Sequence, residues 1–212
     1  MGAAASVVVR RLVVPPLDAN CYIVACPQTH RAAVIDPGGD APRILATLTG
    51  ANLEAKAILL THGHFDHMTA AAELQEATGA PAYAHPGDHG LLLRPSSGVA
   101  ACLGIQIRPL TSVRPLHDGD SLTIGTLTVT VLATPGHSPG SVCFLVGDAV
   151  FTGDTLFAGG IGRTDLSGGD PAALLQSLRD RLLTLPPATT VYPGHGLSTT
   201  IANERRSNPF VS

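Results

Sequence analysis

The sequence predicts an α+β fold in which two sheets pack face to face with helices on their outer sides. Strand-like and helix-like segments recur in two similar halves, each β-rich first and helical later, and two packed sheets with outer helices bury both sets of apolar faces. The 212 residues show no repeat of fixed period and no low-complexity linker, so one domain spanning residues 1–212 is expected. Hydrophobic residues make up 44% but aromatics only 4%, with no Trp, so the core has to be built from Ala, Val, Leu and Ile.

The first half opens with three β-rich segments, 6–14, 20–25 and 32–35, separated by Pro, Asp and Asn. Asp36–Asp40 (DPGGD) reads as a strong turn, and 42–48 as a helix. An apolar strand at 57–60 runs straight into THGHFDH, and 69–78 carries Ala, Glu and Leu at helical spacing until Gly79 stops it. A brief strand follows at 81–84 and a helix at 87–93. The stretch 94–115 has no clean period and is expected to form a flexible flap. The second half predicts strands at 121–124, 127–133, 142–146 and 149–152, with Gly125 and Gly147–Asp148 as tight turns. Asp170 and Pro171 should cap a helix over 171–183, because Asp favours the N-cap and Pro the first turn. A strand at 189–192 and a helical turn or two over 198–206 complete the chain.

A net charge of −3 and a single lysine, Lys56, leave no basic field for nucleic acid. No stretch approaches the roughly 20 apolar residues of a membrane span, so no membrane partner is expected. The oligomeric state is not legible. Cys21, Cys26, Cys102 and Cys143 form no CxxC pair, and the apolar stretch Ala3–Val9 lacks a preceding cationic region; buried, inert thiols and a cytoplasmic location are expected.

The chemistry is concentrated in four short motifs: His62, His64, Asp66 and His67 in THGHFDH, His137 in TPGHSPGS, Asp154 in FTGDTLF, and His195 in YPGHG. Five imidazoles and two carboxylates suit a borderline-soft divalent ion such as zinc, with Fe2+ or Mn2+ also compatible, and there are enough donors for two ions. An extended backbone would put His62, His64 and Asp66 on one side and His67 on the other, so that one loop serves two ions. His137, Asp154 and His195 each follow a strand-like segment in a glycine-flanked turn, where a sheet edge presents ligands. His30, His85, His89 and His117 lack such contexts and are read as surface or core residues.

Together these residues resemble the metallo-β-lactamase superfamily, and more narrowly its glyoxalase II (hydroxyacylglutathione hydrolase) branch in a short single-domain form. The resemblance implies a four-layer αββα sandwich. It also implies a first ion held by His62, His64 and His137, a second by Asp66, His67 and His195, and Asp154 as the bridge. A bridging carboxylate in a GD turn sets the chain apart from true β-lactamases, and His64 from the flavodiiron branch. Gly159–Asp170 (GGIGRTDLSGGD) resembles the loop after the bridging aspartate both in short glyoxalase II-like hydrolases and in persulfide dioxygenases.

The expected reaction is hydrolysis of a small thioester, S-lactoylglutathione or a related 2-hydroxyacylglutathione, with Asp66 orienting the nucleophile and Asp154 holding the ions together. Alternatives remain: an oxygenase for glutathione persulfide, with His62, His137 and Asp154 around a single Fe2+; a lactonase; and a non-catalytic metal-binding module. Arg163, Arg205 and Arg206 are the candidate partners of the substrate carboxylates, with an Arg163–Asp165 ion pair and a solvated last helix as the competing structural readings.

Overall fold

The computed structural model describes residues 7–95 and 98–211. Its first half contains β1 (Val8–Val14), β2 (Ala19–Ala25), β3 (Arg31–Ile35), α1 (Ala41–Gly50), β4 (Glu54–Leu59), α2 (Phe65–Met68), α3 (Ala71–Thr78) and β5 (Ala82–Ala84). A 3-10 turn at Pro86–Asp88 leads into α4 (His89–Leu93), followed by α5 (Gly98–Cys102) and β6 (Arg114–Pro115). The second half contains β7 (Ser121–Ile124), β8 (Leu127–Ala133), β9 (Val142–Val146), β10 (Ala149–Gly153), the short hairpin β11 (Leu156–Phe157) and β12 (Gly160–Ile161), and α6 (Pro171–Ser177). After a π-helical turn over Leu178–Leu182 come β13 (Thr190–Pro193), β14 (Thr199–Thr200) and α7 (Ile201–Ser207).

One six-stranded sheet runs β1-β2-β3-β4-β5-β6 and the other β14-β13-β10-β9-β8-β7, the αββα arrangement expected from the sequence. Every residue of β2 is buried, because both faces of this sheet are covered. Tyr22 and Val24 face the layer between the sheets, with Ile35 and Leu59 on their own side and Val131, Phe144 and Phe151 opposite. Ile23 points the other way, onto Ile44 and Leu48 of α1 and Leu74 of α3. The outer face of the second sheet packs Val150 and Val191 against Leu174, Leu178 and Leu182, with Ile201 of α7. Five of the eight aromatics, Tyr22, Tyr83, Phe144, Phe151 and Tyr192, lie in the middle layer, where the Tyr22 and Phe151 rings are 5.2 Å apart.

Three local expectations need correction. The 94–115 segment is built into the fold: Leu110 is buried and donates its N–H to Leu92 O at 3.1 Å, Ile107 and Val113 pack on the outer core, and Arg114–Pro115 adds a parallel strand to β5. Residues 96–97 of it lie outside the described residues, as does Ser6 of the first expected strand. The helix expected at 69–78 begins two residues later, as α3 (Ala71–Thr78), and a separate helical turn, α2, precedes it within the THGHFDH loop. Cys102 is exposed, whereas the other three thiols are buried as expected. Asp170 caps α6 as predicted, its carboxylate accepting from Ala172 N and Ala173 N, with Pro171 at the first position. None of the described helices is long and apolar enough to cross a membrane.

Candidate metal centre

The ligand loop leaves the end of β4 and turns helical almost at once. His64 is extended (φ −72°, ψ 147°) and caps α2, so Phe65 to Met68 form one helical turn rather than continuing the strand. Successive helical residues rotate by about 100°, which breaks the expected alternation. Asp66 therefore parts from His62 and His64 and joins His67. The donor atoms gather into two triads, His62–His64–His137 and Asp66–His67–His195, with the atoms of each within 4.8 Å of one another. Asp154, immediately after β10, lies across both: Oδ1 is 3.4 Å from His67 Nε2, while Oδ2 is 3.7 Å from His137 Nε2 and 3.7 Å from His195 Nε2. All seven residues are brought to one end of the sandwich, at the edges of both sheets.

The atoms facing one another suit metal ions. His62 Nε2, His67 Nε2 and Asp154 Oδ1 are buried without a hydrogen-bond partner among the described residues. Burying three such atoms is costly unless a cation meets them, and two imidazole nitrogens beside a carboxylate oxygen form a donor set for zinc, iron or manganese.

A hydrogen-bonded layer behind the ligands fixes which nitrogen is bare. Thr61 donates its N–H to Asp36 Oδ1 at 2.8 Å and its hydroxyl to Oδ2 at 2.7 Å, so its oxygen is left to accept from His62 Nδ1 at 3.0 Å. Asp36 Oδ2 also accepts from His67 Nδ1 at 3.1 Å, and Arg163 O accepts from His137 Nδ1 at 2.7 Å. For His62 and His137 this leaves Nε2 as the nitrogen facing the centre with its lone pair, and for His67 it leaves Nε2 as the nitrogen that meets an ion once its proton is released. Asp36 thus supports one histidine of each triad. It does so from a left-handed backbone (φ 49°), which is uncommon for a non-glycine residue and is held here by the strand-to-turn junction.

Two further contacts lock the loops together. Buried Asp88 accepts from Gly63 N (2.7 Å), Ser138 Oγ (2.6 Å) and Gly140 N (2.8 Å), tying the THGHFDH loop to the His137 loop. The His195 loop is held by Asn20, whose Nδ2 donates to Pro193 O and Gly196 O, both at 2.9 Å, and by Tyr22, whose hydroxyl donates to Pro193 O at 2.7 Å. Gly194 is required here: a Cβ on it would meet Asp154 Oδ1 at 2.2 Å and His67 Cε1 at 2.8 Å.

The two triads carry different charge. Burial first, then neighbouring imidazoles, pushes His62 well below the usual histidine range. Burial and His137 bring His64 down to about 4. In the second triad burial opposes charge on His67, but Asp154, Asp36 and Asp66 together outweigh it and raise His67 to about 10. His195 is raised by its hydrogen bond to Asp66, whose Oδ2 lies 3.2 Å from Nε2. Asp66 is held at about 2, because the histidine contacts overcome the effect of its burial.

The candidate substrate cations lie in ordinary structural contacts. Arg163 forms a two-pronged pair with Asp165, Nε to Oδ1 and Nη2 to Oδ2 each at 2.7 Å. Arg205 donates to Leu183 O and, at 3.0 Å, to Leu185 O, while Arg206 donates to Asn203 Oδ1 of its own helix at 2.9 Å. Asp36, Thr61, Asp88 and Asn20 were not singled out from the sequence. DPGGD is indistinguishable from a plain turn, and only the Thr before the first ligand histidine offered a signal.

With this geometry in view, the relatives are informative. The sequence model of the Metallo-beta-lactamase superfamily matches residues 14–195. Hydroxyacylglutathione hydrolase GloC of Haemophilus influenzae is 36% identical over 197 residues, covering 91% of this chain and 92% of its own. The crystal structure of TTHA1623 in a di-iron-bound form is 45% identical, with TM-score 0.86, covering 95% of this chain and 100% of its own. The BLEG-1 B3 metallo-beta-lactamase structure is 39% identical, with TM-score 0.87, covering 97% and 100%. The chain belongs to the metallo-beta-lactamase superfamily and is a metallo-hydrolase of that superfamily.

Proposed function

We propose that the protein is a binuclear thioesterase that cleaves S-2-hydroxyacylglutathione, such as the lactoyl thioester, to the hydroxy acid and glutathione. The observation that carries the reading is a complete second triad beside the first, with both oxygens of Asp154 spanning the two. A single-ion oxygenase needs only three of these seven residues. The 36% identity to GloC, whose name gives that substrate, supports the acyl and thiol assignment.

His62, His64 and His137 would hold one ion, Asp66, His67 and His195 the other, and Asp154 both, with zinc first, then iron or manganese, on the chemistry of the donors. When bound, the ions supply Lewis acidity toward a carbonyl oxygen and lower the pKa of a water. The chain supplies the rest. Asp66 stays ionised and turns an acceptor oxygen toward the centre, where it can orient a nucleophilic water. Asp36 and Thr61 fix the ring planes behind it. A departing thiolate needs little proton donation from the site. The four thiols fit a reducing, cytoplasmic setting.

Hydrolysis of a β-lactam is the second reading, favoured by the 39% identity to a protein named a B3 metallo-beta-lactamase. Protein purified without added metal, assayed for metal content and then against S-lactoylglutathione, benzylpenicillin and glutathione persulfide in an oxygen electrode, decides among them. About two ions per chain with thioester hydrolysis and no oxygen uptake is the expected result. A preference for penicillin selects the second reading, and one iron with oxygen consumed against persulfide overturns both.

A further inference from the structure

The cations considered from the sequence make the local contacts described above, and the structure places a further one, Arg11, against the His195 loop. Arg11 lies on β1, where Leu12 and Val14 turn into the outer core while Val9 packs on the layer between the sheets. Arg11 shares the side of Val9, so its guanidinium reaches across to the His195 loop and donates from Nη1 to Gly196 O at 2.8 Å. That carbonyl already accepts from Asn20 Nδ2 at 2.9 Å, so the loop does not depend on Arg11 for a partner. No carboxylate lies within ion-pair distance of Arg11 among the described residues, in contrast to Arg163, whose charge is met by Asp165. The guanidinium has five N–H donors in a fork suited to a carboxylate, and among the described residues it makes one hydrogen bond.

The surroundings add an apolar element. His195, the second-triad residue next to Gly196, is part-exposed, and the loop continues into Leu197, which is 70% exposed. Leu17, 45% exposed, stands two residues before Ala19, which is bridged to His195. Two solvent-facing leucines and a carboxylate-free guanidinium thus flank the most open ligand of the centre. That pattern suits an aliphatic stem ending in an anion.

We infer that Arg11 is the specificity-determining residue for the thiol half of the substrate, pairing with a free carboxylate of a peptide thiol while Leu17 and Leu197 cover its stem. The inference rests on the thioesterase reading for its substrate and on the Arg11–Gly196 geometry for its site.

The test compares S-lactoylglutathione with the lactoyl thioester of N-acetylcysteamine, which has no carboxylate, in wild type, Arg11→Ala and Arg11→Lys. Binding of S-methylglutathione, which carries both carboxylates and no scissile thioester, is measured in parallel by calorimetry. Arg11→Ala should raise KM for the glutathione thioester about tenfold, leave kcat within about twofold and leave the uncharged thioester unchanged, the loss expected for one charge-assisted contact. It should weaken S-methylglutathione binding equally, and Arg11→Lys should recover part of both. Unchanged KM and binding in Arg11→Ala, or an equal loss on both thioesters, overturns the inference and makes Arg11 a support of the His195 loop. If wild type hydrolyses neither thioester, the thioesterase reading fails and the calorimetry alone decides: weaker S-methylglutathione binding in Arg11→Ala upholds the role of Arg11, and equal or absent binding removes it.

Discussion

The two triads are built from similar residues and behave as opposites. His62, His64 and His137 form an all-imidazole group in which burial and mutual repulsion keep His62 and His64 neutral at pH 7. Asp66, His67 and His195 mix carboxylate with imidazole, and in the metal-free protein the carboxylates hold a proton on His67. The first triad offers neutral His62 and His64, with His62 Nε2 unpartnered and His64 Nδ1 hydrogen-bonded to His137 Nε2 at 2.9 Å, whereas the second must release a proton before an ion can take its place. The same fold edge thus presents two sites of different proton cost, and Asp154 is the one ligand that touches both.

Removing that shared ligand should have the largest effect. Asp154→Ala is expected to lose both ions and at least about a thousandfold in thioesterase activity, while His195→Ala empties mainly the second triad. Metal analysis of the purified variants checks this. Asp154→Ala protein that keeps two ions would show the triads to be independent and end the comparison.

The second break goes behind the ligands. Asp36 is buried and serves Thr61, His62 through Thr61, and His67, so its loss should disturb both triads although it touches no metal. Asp36→Ala leaves buried donors unpaired and should cost about 3–5 kcal/mol, on the scale of breaking a buried ionic network, lowering Tm by roughly 10 °C. Asp36→Asn, of nearly equal size, should fold better and weaken metal binding about tenfold to a hundredfold. Thermal unfolding and a chelator titration separate the two. An Asp36→Asn protein with unchanged affinity for both ions would confine Asp36 to folding.

Proton release sharpens the contrast directly. His67 is raised above its unfolded value, so its contribution to the stability of metal-free protein is complete below pH about 6.5 and fades as the pH rises through about 10. Filling the second triad at pH 7 should therefore expel about one proton or more, and its affinity should climb with pH. Filling the first should expel almost none. Calorimetry of metal binding in two buffers of different ionisation enthalpy counts the protons, and His195→Ala should abolish most of the release. Equal release from both triads contradicts the charge difference.

The candidate ligands that the fold brings together were legible in the sequence because they sit in glycine-flanked motifs at strand ends, and four share seven consecutive residues. The α+β sandwich was legible from the two β-then-α halves. What sequence did not show is the layer behind the ligands. Asp36 and His67 are 31 positions apart and Asp88 and Ser138 are 50, so their roles exist only once the sheets are assembled. Two-residue strands such as β6 and β14 are too short to leave a period of their own. The helical turn at Phe65 was hidden because alternating His, His and Asp imitate a strand.

The smallest expected effect separates side-chain from main-chain support of the first triad. His137 is oriented by the backbone carbonyl of Arg163, which any substitution at that position retains, whereas the guanidinium is turned to Asp165 on the exposed surface. Exposed ion pairs contribute little, because water and salt screen them. Arg163→Ala should therefore keep full metal content and change KM for S-lactoylglutathione less than about twofold. A KM raised severalfold with metal content intact would instead mean that the Asp165 pair opens for the substrate, giving Arg163 the carboxylate that the Arg11 geometry otherwise claims.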